Sequence, residues 1–435
     1  MALEKNNPKT MRAWAFYDWA NSVYNLVITT AIFPIFYSSI TTYDDIEAGE
    51  TAYISFFGFQ FINTELYSYT LSLSFLIVAF ISPLLSGMAD YSGNKKRFLQ
   101  FFCYLGAVSC AMLYFFDPAY LEFSMVFVLT ASIGFWGSLV FYNAYLPEIA
   151  DVSLHDKVSA QGFALGYIGS ALLLIAILIV LTVFGNHLVR YSFIVVGLWW
   201  ASFAQITYSA LPNNVYGVKP KGIGYIWNGF KELKKVAKQL KSLVNIRRFL
   251  RAFFVYNMGV QTVMVMAVLF AKKEVDWDGE GDTGLIISVL IIQFVAIAGA
   301  FLFSRLSARL GNVPVLAMSL VIWVGVALAA YVITTPMQFY ILAGVVGLVM
   351  GGIQSLSRST FSKLLPKTKD HASFFSFYDV LEKIGIVIGT FLFGFIEGVT
   401  ESMRNSALVL ASFFILGLLL ILMVKREKSI GPIKA

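Results

Sequence analysis

Twelve apolar runs, each near or above the roughly 20 residues a helix needs to cross a bilayer core, punctuate this 435-residue chain. They fall at residues 12–40, 67–89, 98–116, 123–146, 160–184, 190–211, 249–271, 284–304, 313–333, 337–358, 374–396 and 405–424. Each run is continuously apolar, whereas barrel strands would show weak alternating segments of about ten residues, so helices are expected. Only 13% of residues are charged, against roughly a quarter in soluble domains, while 58% are hydrophobic. A water-soluble fold is excluded, and an all-α membrane protein with twelve transmembrane helices is predicted.

The basic residues give an orientation. All of the 32 lysines and arginines except Arg190, Lys272, Lys273, Arg404 and Lys383 fall on the side of the amino terminus when the runs are threaded alternately. The positive-inside rule then makes both termini cytoplasmic. The +7 net charge thus reflects topology, spread over short loops beside spans, and points away from nucleic acid. Lys5, Lys9 and Arg12 precede the first run as in a secretory signal, but the run is too long and lacks a small-residue cleavage site. It is expected to stay as a span, and in a bacterium the membrane would be the inner one. Cys103 and Cys110, both in the third run, support neither a disulfide framework nor a metal site.

Residues 212–248 form the longest hydrophilic connection and the most basic, with six runs before and six after. The domains expected are a six-helix bundle at 1–211, the linker at 212–248 and a second bundle at 249–435. In the linker, Trp227, Phe230, Leu233, Ala237, Leu240 and Val244 recur at helical spacing, with Lys231, Lys234, Lys235, Lys238 and Lys241 largely opposite. That pattern predicts an amphipathic helix on a leaflet of anionic headgroups.

Two six-helix halves around a long basic loop resemble the major facilitator superfamily. The stretch Gly87-Met88-Ala89-Asp90-Tyr91-Ser92-Gly93-Asn94-Lys95-Lys96-Arg97 is similar to that superfamily's loop signature. Gly87 and Gly93 allow a tight turn and close helix approach, Asp90 can pair with a helix terminus or an arginine, and Lys95, Lys96 and Arg97 are expected to anchor to phosphates. The motif would latch one gating state. Its counterpart, Ser304 to Gly311, keeps the basic residues and lacks the aspartate.

Four further stretches resemble the branch that includes the autophagy-related vacuolar amino-acid effluxers and their bacterial relatives. They are Phe16–Ser22, Leu146–Glu148, Ser159–Gly169 and Gly351–Ser359. The resemblance implies a permease of small solutes, with amino acids as the substrates of the vacuolar members.

Polar residues inside the runs mark the candidate path, because ionisable groups in a membrane usually face a cavity or a partner. Asp18, Asn21, Ser22, Asn25 and Thr29 follow helical steps in the first span, and Asn257 and Gln261 stand in the seventh, its repeat partner. Gln354 and Arg358 share a face of the tenth span, where the Arg358 fork could clamp a substrate carboxylate or pair with another span. These residues, apart from Thr29, are the substrate-binding candidates. In the eleventh span Asp379, Glu382 and Lys383 lie at i, i+3 and i+4. An Asp379–Lys383 pair would leave Glu382 to titrate, so this trio is the candidate for proton coupling.

No enzyme or cofactor motif is present. His155, His187 and His371 all fall in predicted loops without metal-ligand spacing, and no phosphate-binding glycine loop occurs. The expected function is gradient-driven or facilitated movement of a small polar solute such as an amino acid, in the export direction, by a monomer working through alternating access. The alternative is a receptor, scramblase or assembly factor on the same scaffold.

Overall fold

The computed structural model describes residues 4–41, 53–212, 224–277 and 281–425. Their helices, in chain order, are α1 (Pro8–Thr41), α2 (Asn63–Ser92), α3 (Lys95–Met112), α4 (Leu121–Asn143), α5 (His155–Phe184), α6 (Val189–Ala210), α7 (Gly224–Ser242), α8 (Val244–Glu274), α9 (Gly281–Leu310), α10 (Asn312–Val332), α11 (Pro336–Leu364), α12 (His371–Thr400) and α13 (Met403–Ile421). A two-stranded hairpin, β1 (Tyr53–Phe56) and β2 (Phe59–Ile62), stands between α1 and α2. Eleven of the helices are long and apolar enough to cross a membrane. The other two are α7, with 19 residues, and α12, which has 30 residues and carries the Asp379, Glu382, Lys383 trio.

Local chemistry sets the helix ends. Asn7 accepts hydrogen bonds from the N–H groups of Lys9 and Thr10 ahead of Pro8, which needs no donor at the first helical position. Thr335 and Gln338 close a capping box around Pro336 at the start of α11. Gly93 ends α2 in the left-handed region (φ 69°), the turn expected of the loop motif. Several helices outrun the apolar stretches that reveal them, because polar ends continue the backbone ladder beyond the hydrocarbon. The tenth run, 337–358, belongs to α11, which continues to Leu364, so Arg358 lies inside a helix.

The chain packs as two helix groups. In the first, α1 lies on α5 and α6, and α4 on α2 and α3; in the second, α9 lies on α11, and α13 on α8 and α10. The groups meet where α5 touches α9 and α11, and where α12 touches α2 and α4. The glycine ridge of α5 seats on α1 within one group: a Cβ on Gly166 would lie 2.4 Å from Ser22 Oγ. Outward faces of α3, α6, α10 and α13 expose apolar side chains such as Val108, Leu198, Val321 and Leu419.

The linker helix differs from its sequence reading. It docks on α2 through Gly229, with Val236 and Leu240 buried, whereas Trp227 and Phe230 point outward beside Lys231, Lys234 and Lys238. Val244 already belongs to α8. The docking stripe is rotated because a close backbone crossing takes priority: a Cβ on Gly87 would sit 2.2 Å from the carbonyl oxygen of Gly229. Lys235 donates to Glu232 (2.7 Å) and Asp370 (2.9 Å), and these bonds hold its ammonium above the ordinary lysine pKa. Overpacking of this kind costs about 1–3 kcal/mol. Gly87→Val is therefore expected to lift α7 and speed tryptic cleavage at Lys231–Lys241 about tenfold. An unchanged cleavage rate would mean that the crossing does not hold the helix.

Candidate translocation site and inter-group clasps

Arg358 is the centre of the first clasp. Its five N–H donors reach Asp18 Oδ2 twice (3.2 Å from each terminal nitrogen), the Ser159 hydroxyl (2.9 Å), the Ser159 carbonyl (2.9 Å) and Asn143 (3.3 Å). Tyr142 donates its hydroxyl to the same Asp18 oxygen at 2.8 Å. The guanidinium lies over the rings of Phe163 (4.2 Å), Trp14 (4.9 Å) and Tyr142 (5.4 Å), which shield it from water. Both charges are buried. A Cβ on Gly162 would meet Asp18 Oδ2 at 2.4 Å, so glycine is what lets the carboxylate lie there.

A second clasp uses the loop motif. Asp90 accepts hydrogen bonds from the backbone N–H groups of Ala372 (3.1 Å) and Ser373 (2.7 Å), capping α12 from the other helix group. Those N–H groups have no partner within their own helix, and the helix dipole adds to the attraction. Lys95 bridges Asp90 (3.4 Å) and Glu148, and Glu148 also contacts His371 Nδ1 (3.0 Å). Lys95 is fully buried and Lys96 nearly so, donating to the Leu211 carbonyl at 3.0 Å. Of the basic trio expected at phosphates, only Arg97 is exposed. His155 and His371 each open a helix, against the prediction that they lie in loops, because polar residues at helix starts look the same as loop residues in a hydropathy trace.

A third clasp joins Asp156 of α5 to Lys363 of α11 at 2.5 Å, with Asn312 and Ser307 also donating to Asp156. All three clasps lie toward the end of the molecule that carries the Asp90 loop. Deeper in, Lys383 contacts both Asp379 and Glu382 (3.0 Å to the latter) and sits 4.0 Å from the Trp136 ring centre, across the groups. Glu382 is thus shared with Lys383, not left aside by the Asp379 pair, and it also accepts from Gln261 at 3.1 Å.

Uncharged polar groups occupy the interior beyond the clasps. Asn21 and Asn25 hold the same positions in α1, counted from Pro8, as Asn257 and Gln261 hold in α8, counted from Val244. Asn21 and Asn257 are buried, and their Nδ2 groups, like Thr262 Oγ1, have no hydrogen-bond partner among the described residues. Ser22 and Asn25 are partly accessible, and Gln354 accepts from Tyr167 at 2.5 Å. From Tyr24 to Ile32 α1 winds as a π-helix, and the Thr30 hydroxyl donates to the carbonyl five residues back, that of Asn25, at 2.8 Å. The α-helical stripe therefore runs through Asn25 and does not extend by the same rule to Thr29.

The family described as "Vacuole effluxer Atg22 like" matches residues 6–432, nearly the whole chain. The chain belongs to this Atg22-like family. Among its relatives is a Bacillus subtilis protein named as an uncharacterized MFS-type transporter, YxiO, which is 33% identical over 98% of this chain and 97% of its own length. Autophagy-related protein 22 of Yarrowia lipolytica is 25% identical over 87% of this chain and 78% of its own. Two solved structures share the fold: the major facilitator transporter FucP in its outward conformation (TM-score 0.67, 14% identity, 97% and 99% covered) and the human organic anion transporter MFSD10 (TM-score 0.69, 11% identity, 95% and 98% covered). The protein is an integral, multi-pass transporter of the major facilitator kind.

The four stretches that resemble the Atg22 branch meet in space. Phe16–Ser22 supplies Asp18, Ser159–Gly169 supplies Ser159 and Gly162, and Gly351–Ser359 supplies Arg358, all in the first clasp. Leu146–Glu148 supplies the Glu148 of the second. Tyr142, Asp156, Lys363 and Trp136 escaped the sequence reading, and His371 was read only as a loop residue, since each acquires its part from a partner in another helix.

Proposed function

We propose that this Atg22-like protein is a secondary transporter that exports a small polar solute, such as an amino acid, by alternating access. The bundles at 1–211 and 249–435 are the rocking units, joined by the 212–248 linker, with α12 as the twelfth span. The observation that carries this reading is the pair of matched amides on α1 and α8, placed behind three ionic clasps that close one end. Asn21, Ser22, Asn25, Asn257, Gln261 and Gln354 offer donors and acceptors to the solute, while Asp18 and Arg358 act as the closing pair of its path. Gly87, Asp90, Gly93 and Lys95 belong to the gate, and Lys96 and Arg97 flank it. The basic Asp90 side is cytoplasmic, which puts both termini there. The outward face of α7, with Trp227, Phe230 and its lysines, rests on anionic headgroups, and the monomer suffices.

Proton coupling falls to the α12 trio. It holds two carboxylates and one ammonium, so one carboxylate can exchange its proton while Lys383 keeps the other ionised. Proteoliposomes test both parts. Saturable flux of neutral amino acids is expected, and in Glu382→Gln pH-driven uptake is expected to fall at least tenfold while solute exchange across equal gradients persists. Wild-type pH dependence in that variant would return the trio to a structural cluster. Absence of any solute flux would favour the receptor or scramblase reading.

A further inference from the structure

The hairpin between α1 and α2 carries an unusual tip. Its two-residue turn, Phe57–Gly58, has positive φ at both positions (48° and 81°). Mirror-image turns of this kind are ordinarily filled by Asn, Asp or Gly at the first position, because a Cβ crowds the backbone there. Here a phenylalanine takes that conformation while 71% exposed, and Phe59 across the turn is 70% exposed. Two large rings are presented outward where a short polar residue would suit both backbone and water.

The rest of the hairpin is anchored to protein. Ile54 is buried, and the Phe61 ring lies edge-on to Tyr69 of α2 at 6.3 Å. The N–H of Phe57 donates to Glu122 Oε1 at 3.0 Å, which fixes the tip to the first turn of α4. Beside Glu122 in the chain, Tyr120 and Phe123 are also exposed. The tip therefore stands level with the end of a membrane-crossing helix and continues its row of exposed aromatic rings. Aromatic rings concentrate at that level because the headgroup boundary accepts an apolar body next to hydrated groups.

We propose that Phe57 and Phe59 form an interfacial anchor, inserted at the headgroup–acyl boundary of the leaflet opposite the Asp90 loop. The partner is a lipid surface. Among the described residues the only charge bonded to the tip is the Glu122 carboxylate, so zwitterionic lipid suffices.

Site-directed spin labelling tests this directly, since both native cysteines, Cys103 and Cys110, are buried. A label at Phe57→Cys in phosphatidylcholine vesicles is expected to relax several-fold more with oxygen than with a water-soluble nickel chelate. A label at Gln60→Cys, paired with Ser55 on the face of the hairpin opposite Phe59, is expected to show the reverse. Greater nickel access at Phe57 would place the tip in water, and protection from both reagents would place it against protein; either result overturns the anchor. Asparagine suits the turn, so Phe57→Asn keeps the hairpin. In that background a label at Phe59→Cys is expected to shift toward nickel, and a label that stays lipid-accessible would remove Phe57 from the anchor.

Discussion

Arg358→Leu is expected to open the Asp90 end of the protein. The substitution leaves Asp18 buried with one hydroxyl partner, Tyr142, in place of a charge pair. Breaking a buried pair in this way costs about 3–5 kcal/mol. Separating the two helix groups and hydrating Asp18 relieves that cost, so the closed arrangement should lose about two to nearly four orders of magnitude in relative population. A cysteine placed at Ser355, which is fully buried in the seam where Ser159 donates to its carbonyl at 2.8 Å, reports the change. Its alkylation should accelerate about a hundredfold in Arg358→Leu and return most of the way when Asp18→Asn is added. Equal alkylation with and without Arg358 would show that other contacts hold the seam. Acceleration that survives Asp18→Asn would point to lost packing against Trp14 and Phe163.

The second large effect is expected at Lys383. This ammonium is fully buried between Asp379 and Glu382, against Trp136 of the other helix group. Lys383→Met keeps the length of the side chain and strands two neighbouring carboxylates in the interior, again at about 3–5 kcal/mol. The variant should melt at clearly lower temperature in detergent and lose transport altogether. Adding Asp379→Asn removes one of the stranded charges, so at least half of the lost stability should return. If Lys383→Met melts like the wild type, the trio is hydrated rather than buried, and its part in coupling has to be abandoned.

The architecture was legible because apolar runs and basic loops are properties of the chain itself. Each predicted span lies largely within a helix. Lys95 illustrates what was not legible. It sits in a loop motif rich in basic residues, where a headgroup contact is the expectation, and it is buried against Asp90 and against Glu148, which arrives on the short helical turn Leu146–Ile149 after α4. The Arg358 pairing is similar: its partner lies 340 residues away. Sequence could show that a guanidinium lay in or near a span and that it would need a counter-charge, but several carboxylates were available. The π-helical winding of α1 left no trace either, since nine residues with one wider turn carry no periodicity that differs readably from an α-helix.

The capping of α12 by Asp90 has a consequence for how the closed end comes apart. Among the described residues, two backbone N–H groups of one helix group are satisfied by a carboxylate of the other, and Lys95 and Glu148 are buried in the same seam. When the groups separate, every one of these atoms must find water, so opening is a hydration reaction as much as a movement. Its equilibrium then depends on water activity. Solutes excluded from the protein surface should favour the closed end without touching the transport path, and a cell that loses water would close this transporter by the same physics.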